Sequence, residues 1–446
     1  MTSEQKHTQA YVWVWLPDST QPVVAGLLSV SGKQLVYNYG QSYLRRNNAI
    51  PLYEPELPLK TGVLPLLNGL NMPSCIRDAA PDAWGRRIII NRKFGSGGKD
   101  VDPGSLDELT YLLESGSDRI GALDFQASAS NYVPRESAEV SLDELLNAAT
   151  LVEQGVPLTA ELDRALLHGS SIGGARPKAM ITSGNKKFVA KFSSQNDLFG
   201  VVKAEFVAMR LASLVGLTAA PVALKRAAGK DVLLIERFDR EKAPEGWRRK
   251  AMVSALTLLE LDEMMARYAS YEQLATAIRH RFTSPKETLK ELFGRLVFNI
   301  LSGNTDDHAR NHAAFWNGTE LTLTPAYDVC PQNRTGGEAS QAMLIMGQER
   351  ASQIALCLKA APSFLLNEGE AILIATAQIK TIKERWTQVC DEATLSEVDR
   401  NFLWRRQFFN PYAFIDAPEA ITRLVGYPRD PPDFRNRPSR AHPPRR

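Results

Sequence analysis

The chain has 446 residues, of which 44% are hydrophobic and 23% are charged, and its formal net charge is +3. The length predicts two or three globular domains, and the small net charge excludes nucleic-acid binding driven by overall charge alone. The four cysteines and six histidines have no metal-binding spacing, which argues against a zinc site, a disulfide framework and a histidine-liganded metalloenzyme. The first ten residues are polar and no apolar run is long enough to span a membrane, so we expect a cytoplasmic protein without a membrane partner.

Composition and turn signals divide the chain into four segments. The predicted segments are an N-terminal domain (1–135), a β-rich lobe (136–240), a mostly helical lobe (241–425) and a tail (426–446). The first boundary is the polar break at 133–135, after which Ser-Leu-Asp-Glu at 141–144 is a capping-box sequence that opens a helix. The polar stretch 241–250 is predicted to be an exposed connection between the lobes.

The tail is rich in proline and arginine and has too few apolar residues to bury a core, so it is predicted to be disordered. An inert, solubilising tail is favoured over one that contacts an acidic partner or a phosphate backbone weakly.

The β-rich lobe is predicted to begin with a glycine-rich loop. Residues 169–178 (Gly-Ser-Ser-Ile-Gly-Gly-Ala-Arg-Pro-Lys) precede a predicted strand at 179–182. Glycines let backbone N–H groups approach phosphate oxygens, but the stretch matches neither G-x-G-x-x-G nor the Walker A pattern. On its own it also fits a hairpin turn, so its interpretation as a phosphate loop depends on its position before a lysine-bearing strand.

That strand and a helix come next in the chain. The apolar run 187–192 contains Lys191 and is similar to the V-A-I-K strand of kinases, although an ordinary exposed strand lysine is the alternative. Glu205 lies early in a predicted helix at 201–211, where it would pair with Lys191 or else be a solvated helix charge. The apolar strand 231–238 stands where a two-lobed kinase has its adenine hinge, and a plain core strand fits it equally well.

The most informative motif lies in the helical lobe. Residues 304–311 (Asn-Thr-Asp-Asp-His-Ala-Arg-Asn) place Asp306 and Asn311 at the D-x-x-x-x-N spacing of a kinase catalytic loop, and Asp328 takes the place of the DFG aspartate. Phosphoryl transfer from Mg-ATP needs a carboxylate that accepts the substrate hydroxyl proton, and an amide and a carboxylate that hold Mg²⁺. The motif therefore predicts a kinase.

The flanking sequence predicts a rigid support for this loop. Ser-Pro-Lys-Glu at 284–287 is a capping-box sequence, and apolar residues recur behind it at helical spacing as far as Gly303. Beyond the loop, apolar stretches at 313–316 and 321–324 flank Asn-Gly, which indicates a β-hairpin.

In order and spacing, these stretches resemble the HipA family of serine/threonine kinase toxins from bacterial toxin–antitoxin pairs. The matching stretches are residues 80–87, 109–125, 170–178, 188–191, 235–240, 304–311 and 325–328. The resemblance covers roughly residues 10–425, and its catalytic-loop motif is the most specific part. It implies an α+β, two-lobed protein-kinase-like fold, with a β-rich nucleotide lobe, a mostly helical C-terminal lobe and an additional N-terminal α+β domain.

The resemblance also implies roles for single residues. Asp306 would be the catalytic base, Asn311 and Asp328 the Mg²⁺ ligands, and Lys191 the lysine that binds the ATP phosphates. The other implied nucleotide-binding residues are Gly173, Gly174, Ala175 and Lys178 of the phosphate loop, Glu236 and Phe238 of the hinge, and His308.

A serine at the start of the phosphate loop is autophosphorylated in the family, which expels the loop and inactivates the enzyme. Ser171 aligns with that serine, and Ser170 is the neighbouring alternative. Two positions depart from the family pattern, because Asp307 stands where the best-known members have Gly and Arg310 where they have Lys. We expect Asp307 to add charge beside the base and to alter substrate preference.

The implied partners are a protein substrate and a small helix-turn-helix antitoxin. Some family members phosphorylate an aminoacyl-tRNA synthetase, and another translation- or DNA-associated protein is the alternative substrate; contact with DNA would be indirect or weak. Two other functions stay open: a small-molecule kinase, since lipid, sugar and antibiotic kinases share the Asp/Asn/Asp set, and a co-repressor that binds a DNA-binding antitoxin and has secondary catalysis.

Overall fold

The computed structural model of the protein describes residues 7–67, 69–135, 140–166, 171, 174–194, 200–334 and 336–426. Ser170, Gly173 and all but the first residue of the predicted tail 426–446 lie outside these ranges. Within the described ranges, every helix is too short or too polar to cross a membrane.

An antiparallel sheet of five strands forms the centre of the N-terminal part, in the order β4-β3-β2-β1-β5. Its strands are β1 (Gln9–Val14), β2 (Val23–Ser31), β3 (Gln34–Tyr39), β4 (Val63–Leu64) and β5 (Leu123–Gln126). The helices of this part are α1 (Gln41–Leu44), α2 (Ser74–Arg77), α3 (Ala83–Phe94) and α4 (Glu108–Glu114), with 3₁₀ turns at Gly95–Asp100 and Pro103–Ser105. Buried side chains alternate along β3, as expected for a strand with one face on the core.

A second antiparallel sheet of four strands has the order β6-β7-β9-β8. Its strands are β6 (Lys178–Ser183), β7 (Lys186–Phe192), β8 (Val222–Ala227) and β9 (Lys230–Glu236), and its helices are α5 (Leu142–Gln154), α6 (Ala160–Leu166) and α7 (Val201–Leu214). The capping box predicted at the start of α5 is present, because Ser141 and Glu144 exchange side-chain and backbone hydrogen bonds. Helix α7 packs on β8 and β9, and its buried Glu205 forms an ion pair with Lys191 of β7.

The segment predicted as an exposed connection between the lobes contains a hairpin of β10 (Arg240–Ala243) and β11 (Gly246–Arg249). A three-stranded sheet follows, composed of β12 (Ala251–Ser254), β13 (Ala313–Trp316) and β14 (Leu321–Leu323). The remaining helices are α8 (Ala255–Leu258), α9 (Tyr271–Arg281), α10 (Pro285–Ser302), α11 (Ile354–Ala360), α12 (Glu368–Glu392), α13 (Glu397–Leu403) and α14 (Glu419–Val425). Single 3₁₀ turns lie at Ala266–Tyr268, Ala309–Asn311, Ala361–Phe364 and Pro411–Phe414.

Helix α10 supports the predicted catalytic loop and is packed on almost every side. Its predicted apolar positions are all buried. The helix begins at Pro285 without the predicted capping hydrogen bond from the Ser284 side chain, so the capping-box prediction is wrong at this helix. It ends at Gly303, whose φ of 72° is left-handed and whose missing β-carbon would lie 2.6 Å from the Gln407 carbonyl oxygen. A side chain at this position is excluded by both constraints.

The α+β architecture, with a β-rich lobe and a mostly helical lobe that share one cleft, confirms the predicted fold class.

Candidate active site

The loop between α10 and β13 is held in a tight turn by its own hydrogen bonds. The backbone N–H of Asn311 donates to the carbonyl of His308 at 2.8 Å, and its side-chain Nδ2 donates to the carbonyl of Asp306 at 3.1 Å. Because the amide nitrogen of Asn311 is used in this way, its Oδ1 is the atom left to act as a ligand. The Asp306 side chain is exposed. Desolvation raises the pKa of this carboxyl, with Asp328 and Asp307 adding to the rise and His308 opposing it.

Lys191 joins two carboxylates inside the cleft. Its Nζ donates to Glu205 Oε1 of α7 at 2.6 Å and also to Asp328 Oδ1. Burial alone would destabilise the ammonium, but Asp328 and Glu205 outweigh burial and raise the pKa of Lys191. Burial likewise opposes the charge of Asp328, and Lys191 holds the pKa of that carboxyl well below its usual range. Lys191 is therefore not an exposed strand lysine, and Glu205 is not a solvated helix charge.

Backbone geometry sets the direction of the Asp328 carboxylate. Asp328 has a φ of 58°, in the left-handed region that residues other than glycine rarely adopt. Its Oδ1 meets Lys191, and the carboxylate lies on the wall of the same cavity as Asn311. A left-handed Asp at this position turns its side chain back toward the lysine of β7.

A second buried lysine lies beside Lys191. Lys178 of β6 is the register partner of Lys191 on β7, so the two ammonium groups share one end of the sheet. Burial and the charge of Lys191 lower the pKa of Lys178 to about 8. Gly174 has a φ of 101°, and a β-carbon at this position would clash with Lys178 Nζ. The two lysines form the cationic end of the cleft.

Residues at the start of α3, in the N-terminal part, form hydrogen bonds with the glycine-rich segment. Asp82 Oδ2 accepts from the Gly174 N–H at 2.6 Å, and Trp84 N–H donates to the Gly174 carbonyl at 3.2 Å. The Trp84 indole also donates to the Lys178 carbonyl at 2.9 Å. Asp82 Oδ1 pairs with Arg310 of the catalytic loop at 2.6 Å. One carboxylate thus links the glycine-rich segment to the predicted catalytic loop.

The end of β9 and the residues after it form another wall. Glu236 pairs with Lys186 at 2.6 Å, and the Phe238 ring packs on Phe315 and Tyr327 with centroid separations of 5.9 and 5.7 Å. These contacts place an aromatic ring just after the end of β9, on the wall of the cleft, an arrangement suited to a planar base.

A buried ion-pair network lies behind this wall. Asp118 accepts from Arg237 and Arg240, both at 3.0 Å, and Asp239 accepts from the same two arginines and from Gly121 N–H at 2.8 Å. Burial opposes these charges, but the arginines lower the pKa of Asp118 and of Asp239. The network joins the loop before β5 to the segment after β9, so it fixes the wall relative to the N-terminal sheet.

One cavity of about 450 Å³ connects these groups. The predicted site residues that line it are Gly174, Lys178, Lys191, Glu236, Phe238, His308, Asn311 and Asp328. Asp306 and Ala175 do not line it, and neither does Ser171, which is 2% exposed with its Oγ 3.4 Å from the Asp118 carbonyl oxygen.

The N-terminal part also contributes to the cavity wall, through residues to which the sequence alone gave no role. They are Val14, Ile50, Pro51, Leu52, Cys75, Asp78, Ala79, Asp82, Ile120, Gly121, Ala122 and Leu123. The Pro-Asp-Ala-Trp stretch at 81–84 was a sequence signal for this contribution, since Asp82 and Trp84 make the contacts with the glycine-rich segment.

The donor atoms in the cavity fit Mg²⁺ better than a fully protein-liganded metal. Among the described residues, no group of three or more His, Cys, Asp or Glu side chains is placed to hold a metal ion. Asn311 and Asp328 supply one amide oxygen and one carboxylate, and Mg²⁺ commonly takes one or two such ligands and fills its shell with water and phosphate oxygens.

Comparison with known proteins relates this chain to one family. The model of the HipA-like C-terminal domain matches residues 170–395, and that of the HipA N-terminal domain matches residues 14–126. The serine/threonine-protein kinase toxin HipA of Shewanella oneidensis is 25% identical over 188 residues, which are 36% of this chain and 42% of that protein. The protein Y4mE of Sinorhizobium fredii is 26% identical over 135 residues, 29% of this chain and 32% of that protein. The chain thus matches less than half the length of either relative.

A solved structure extends the likeness to the whole fold. HipA in the complex of Shewanella oneidensis HipA, HipB and operator DNA superposes with a TM-score of 0.65, covering 94% of this chain and 98% of that one at 18% identity. At this identity the superposition shows a shared fold alone. With one domain model matching the N-terminal part and another matching just over half of the chain, the protein belongs to the HipA family.

Proposed function

We propose that this protein is an ATP- and Mg²⁺-dependent serine/threonine protein kinase. The observation that carries the proposal is Lys191 bonded to both Glu205 and Asp328 in a cavity that also holds Asn311. A lysine paired with a helix glutamate, next to a metal-binding aspartate, is the arrangement that positions ATP in kinases. The family relationship supports the same class of chemistry.

Each charged group has a role in this reaction. Lys191 and Lys178 bind phosphate oxygens, and Asn311 and Asp328 hold the metal, which when bound neutralises phosphate charge. Asp306 accepts the proton of the substrate hydroxyl, and the direction of its pKa shift makes it a stronger base than a free aspartate. Glu236, Phe238 and His308 contact the nucleoside, and Gly173, Gly174 and Ala175 approach its phosphates. Positioning and charge stabilisation supply most of the rate enhancement.

We also propose that the enzyme phosphorylates its own phosphate loop at Ser171, with Ser170 as the alternative. Because Ser171 is buried against Asp118, transfer to its hydroxyl requires the loop to leave its place first. A phosphate adds about 1.5 to 2 negative charges near neutral pH. If the modified loop returned to its place, this negative charge would lie beside the Asp118 carbonyl oxygen. The modified loop therefore stays displaced, and the enzyme is inactive.

The partners proposed are a protein substrate, such as an aminoacyl-tRNA synthetase or another translation- or DNA-associated protein, and a small helix-turn-helix antitoxin. The antitoxin proposal is supported by the complex in which the structural neighbour was solved, with HipB and operator DNA. We retain as proposals the domain divisions at 135 and 240 and a cytoplasmic location.

Mass spectrometry of the wild type and of Asp306→Ala after incubation with Mg-ATP tests the proposal. Asp391→Ala is the control, because it removes an exposed aspartate that is distant in sequence from Asp306. Phosphate on Ser170 or Ser171 in the wild type and the control, but not in Asp306→Ala, is the expected result. Phosphate on Asp306→Ala would overturn the assignment of the base. Nucleotide binding with no phosphoprotein, either in the pure sample or in lysate, would favour a small-molecule kinase or a co-repressor instead.

A further inference from the structure

A buried cluster of three polar side chains lies directly behind the catalytic loop. Asp307, His312 and Tyr271 are 1%, 3% and 0% exposed. His312 Nε2 lies 2.7 Å from Asp307 Oδ1, and the Tyr271 hydroxyl donates to Asp307 Oδ2. The sequence predicted that Asp307 would add charge beside the base and alter substrate preference. Its charge does contribute to the raised pKa of Asp306, but its side chain is buried in the protein interior.

The positions of these residues relate the cluster to both ends of the loop. Asp307 follows the proposed base, Asp306, and His312 follows the proposed metal ligand, Asn311. Tyr271 is the first residue of α9, so it ties the loop to a helix outside the segment. The carbonyl of His312 also accepts from the N–H of Ala255 at 2.7 Å. The loop is therefore fixed next to each of its two reactive side chains.

Charge and hydrogen bonding make this cluster stiff. Burial opposes the negative charge of Asp307, but His312, the Tyr271 hydroxyl and Asn299 lower the pKa of that carboxyl. Burial and the charge of Asp307 raise the pKa of Tyr271 well above its ordinary value. The acceptor therefore stays ionised and the phenol stays protonated over the whole range in which enzymes are assayed, so the Tyr271–Asp307 bond is a charge-assisted bond in a dry environment.

We propose that Asp307, His312 and Tyr271 are positioning residues that hold Asp306 and Asn311 in the geometry for phosphoryl transfer. This inference rests on the proposed kinase function. The cluster acts through its neighbours, and no member of it lines the large cavity. A displacement of about 1 Å of a reacting group lowers the rate on the order of 100-fold, so small shifts of this loop have large kinetic effects.

The kinetic parameters separate positioning from nucleotide binding. Lys178 and Lys191 lie on β6 and β7 and not on the loop, so loss of the cluster leaves the affinity for nucleotide without Mg²⁺ within about twofold, while kcat falls by on the order of tenfold or more. Asp307→Ala removes the carboxylate and its contacts with His312 and the Tyr271 hydroxyl. Asp307→Asn keeps an acceptor for His312 and a partner for the Tyr271 hydroxyl, so it retains most of kcat although the charge is gone.

The experiment compares two substitutions that each delete one buried hydroxyl. Tyr271→Phe removes the bond to Asp307, whereas Tyr111→Phe, the matched control, removes a hydrogen bond to the Pro103 carbonyl at 2.6 Å in the N-terminal part. For the wild type, these two variants, Asp307→Ala and Asp307→Asn, we would measure kcat, KM for ATP, Tm and the gain in nucleotide affinity that Mg²⁺ provides.

The expected result is a loss of kcat and of the Mg²⁺-dependent gain in nucleotide affinity in Tyr271→Phe and Asp307→Ala. Both properties stay near the wild-type level in Tyr111→Phe, and Asp307→Asn keeps most of kcat. Equal kcat in Tyr271→Phe and Tyr111→Phe, at equal Tm, would show that the cluster does not position the loop. A wild type that binds Mg-nucleotide without transferring phosphate would refute the kinase proposal, and the Mg²⁺-dependent affinity of the variants would still decide this inference.

Discussion

Removal of the Asp82 carboxylate should weaken nucleotide binding although Asp82 belongs to the N-terminal part. Asp82 accepts from the Gly174 N–H at 2.6 Å and pairs with Arg310 at 2.6 Å, and both side chains are about a quarter exposed. In Asp82→Ala, Gly174 of the glycine-rich segment loses the hydrogen bond that its N–H donates and keeps the weaker one from Trp84 N–H to its carbonyl. The segment would then have to be ordered by the nucleotide, which reduces affinity by the cost of that ordering.

The magnitude can be worked out from the two contacts. A hydrogen bond to a charged group contributes about 1.5–3 kcal/mol, and a partly exposed ion pair adds about 0.2–1 kcal/mol. With solvent screening taken into account, a loss of about 2 kcal/mol corresponds to a roughly 30-fold rise in the nucleotide Kd. Asp82→Asn keeps an acceptor for Gly174 and loses the charge, so its Kd should rise by only a few-fold.

Titration of each variant with a fluorescent ATP analogue in the presence of Mg²⁺ measures this effect, and thermal unfolding checks the fold. Glu108→Ala is the matched control, because it breaks a carboxylate–arginine pair with Arg86 at 2.7 Å that does not touch the glycine-rich segment. Wild-type affinity in a folded Asp82→Ala would refute the reasoning. A lower nucleotide Kd in Asp82→Ala than in the wild type would be opposite to the expected change. It would show that the Asp82 carboxylate competes with ATP phosphates for the Gly174 N–H.

Four further results are expected. Nucleotide affinity should fall as the pH rises through the Lys178 pKa of about 8 in the wild type but not in Lys178→Arg, and a flat wild-type titration would contradict this. Between pH 8 and about pH 10, Lys178 binds more protons in the unfolded chain than in the folded one, because its folded pKa is lowered. The free energy of unfolding of the wild type should therefore increase with pH relative to that of Lys178→Met, which urea titrations would measure. Asp239→Ala removes one of the two buried carboxylates that accept hydrogen bonds from Arg237 and Arg240, and it should lower the free energy of unfolding by about 3–5 kcal/mol in urea titrations. The control, Glu241→Ala, removes an exposed carboxylate and should lower it by at most about 0.5 kcal/mol. Since the pKa of Asp239 is lowered, its contribution is complete above about pH 4 and is lost as the pH falls through its folded value, which an acid titration of the wild type against Asp239→Asn would detect.

The helices and strands around the site could be predicted because their signals are local. The apolar face of α10 repeats with helical period, and β7 and β9 are apolar runs that the structure places side by side. The spacing of Asp306 and Asn311 was informative for the same reason, since both groups lie on a single loop. Local signals fail for details that depend on tertiary packing: the Ser284 side chain makes no capping bond, although its sequence context allows one.

The contacts that complete the site could not be predicted from the sequence, because they join residues that are far apart along the chain. Asp82 and Gly174 are 92 residues apart, and Asp118 and Arg237 are 119 residues apart, so no periodicity or spacing relates them. The direction of a side chain was equally hidden. Asp307 stands in a polar loop beside an exposed aspartate, and only the three-dimensional arrangement of Tyr271 and His312 shows that it faces the interior.

These long-range bonds make the N-terminal part a structural component of the proposed nucleotide site. It contacts the glycine-rich segment and the catalytic loop through Asp82, the wall behind β9 through Asp118, and β12 through Asp78, which accepts from Ser254 N–H at 2.7 Å. A displacement of this part would break charged contacts at all of these places at once. A molecule that binds the N-terminal part with different affinity in the displaced and the undisplaced arrangement must change nucleotide affinity, by thermodynamic linkage. Bound nucleotide must then change the affinity for that molecule by the same factor. A partner that binds the N-terminal part can therefore regulate the proposed kinase activity without entering the cleft.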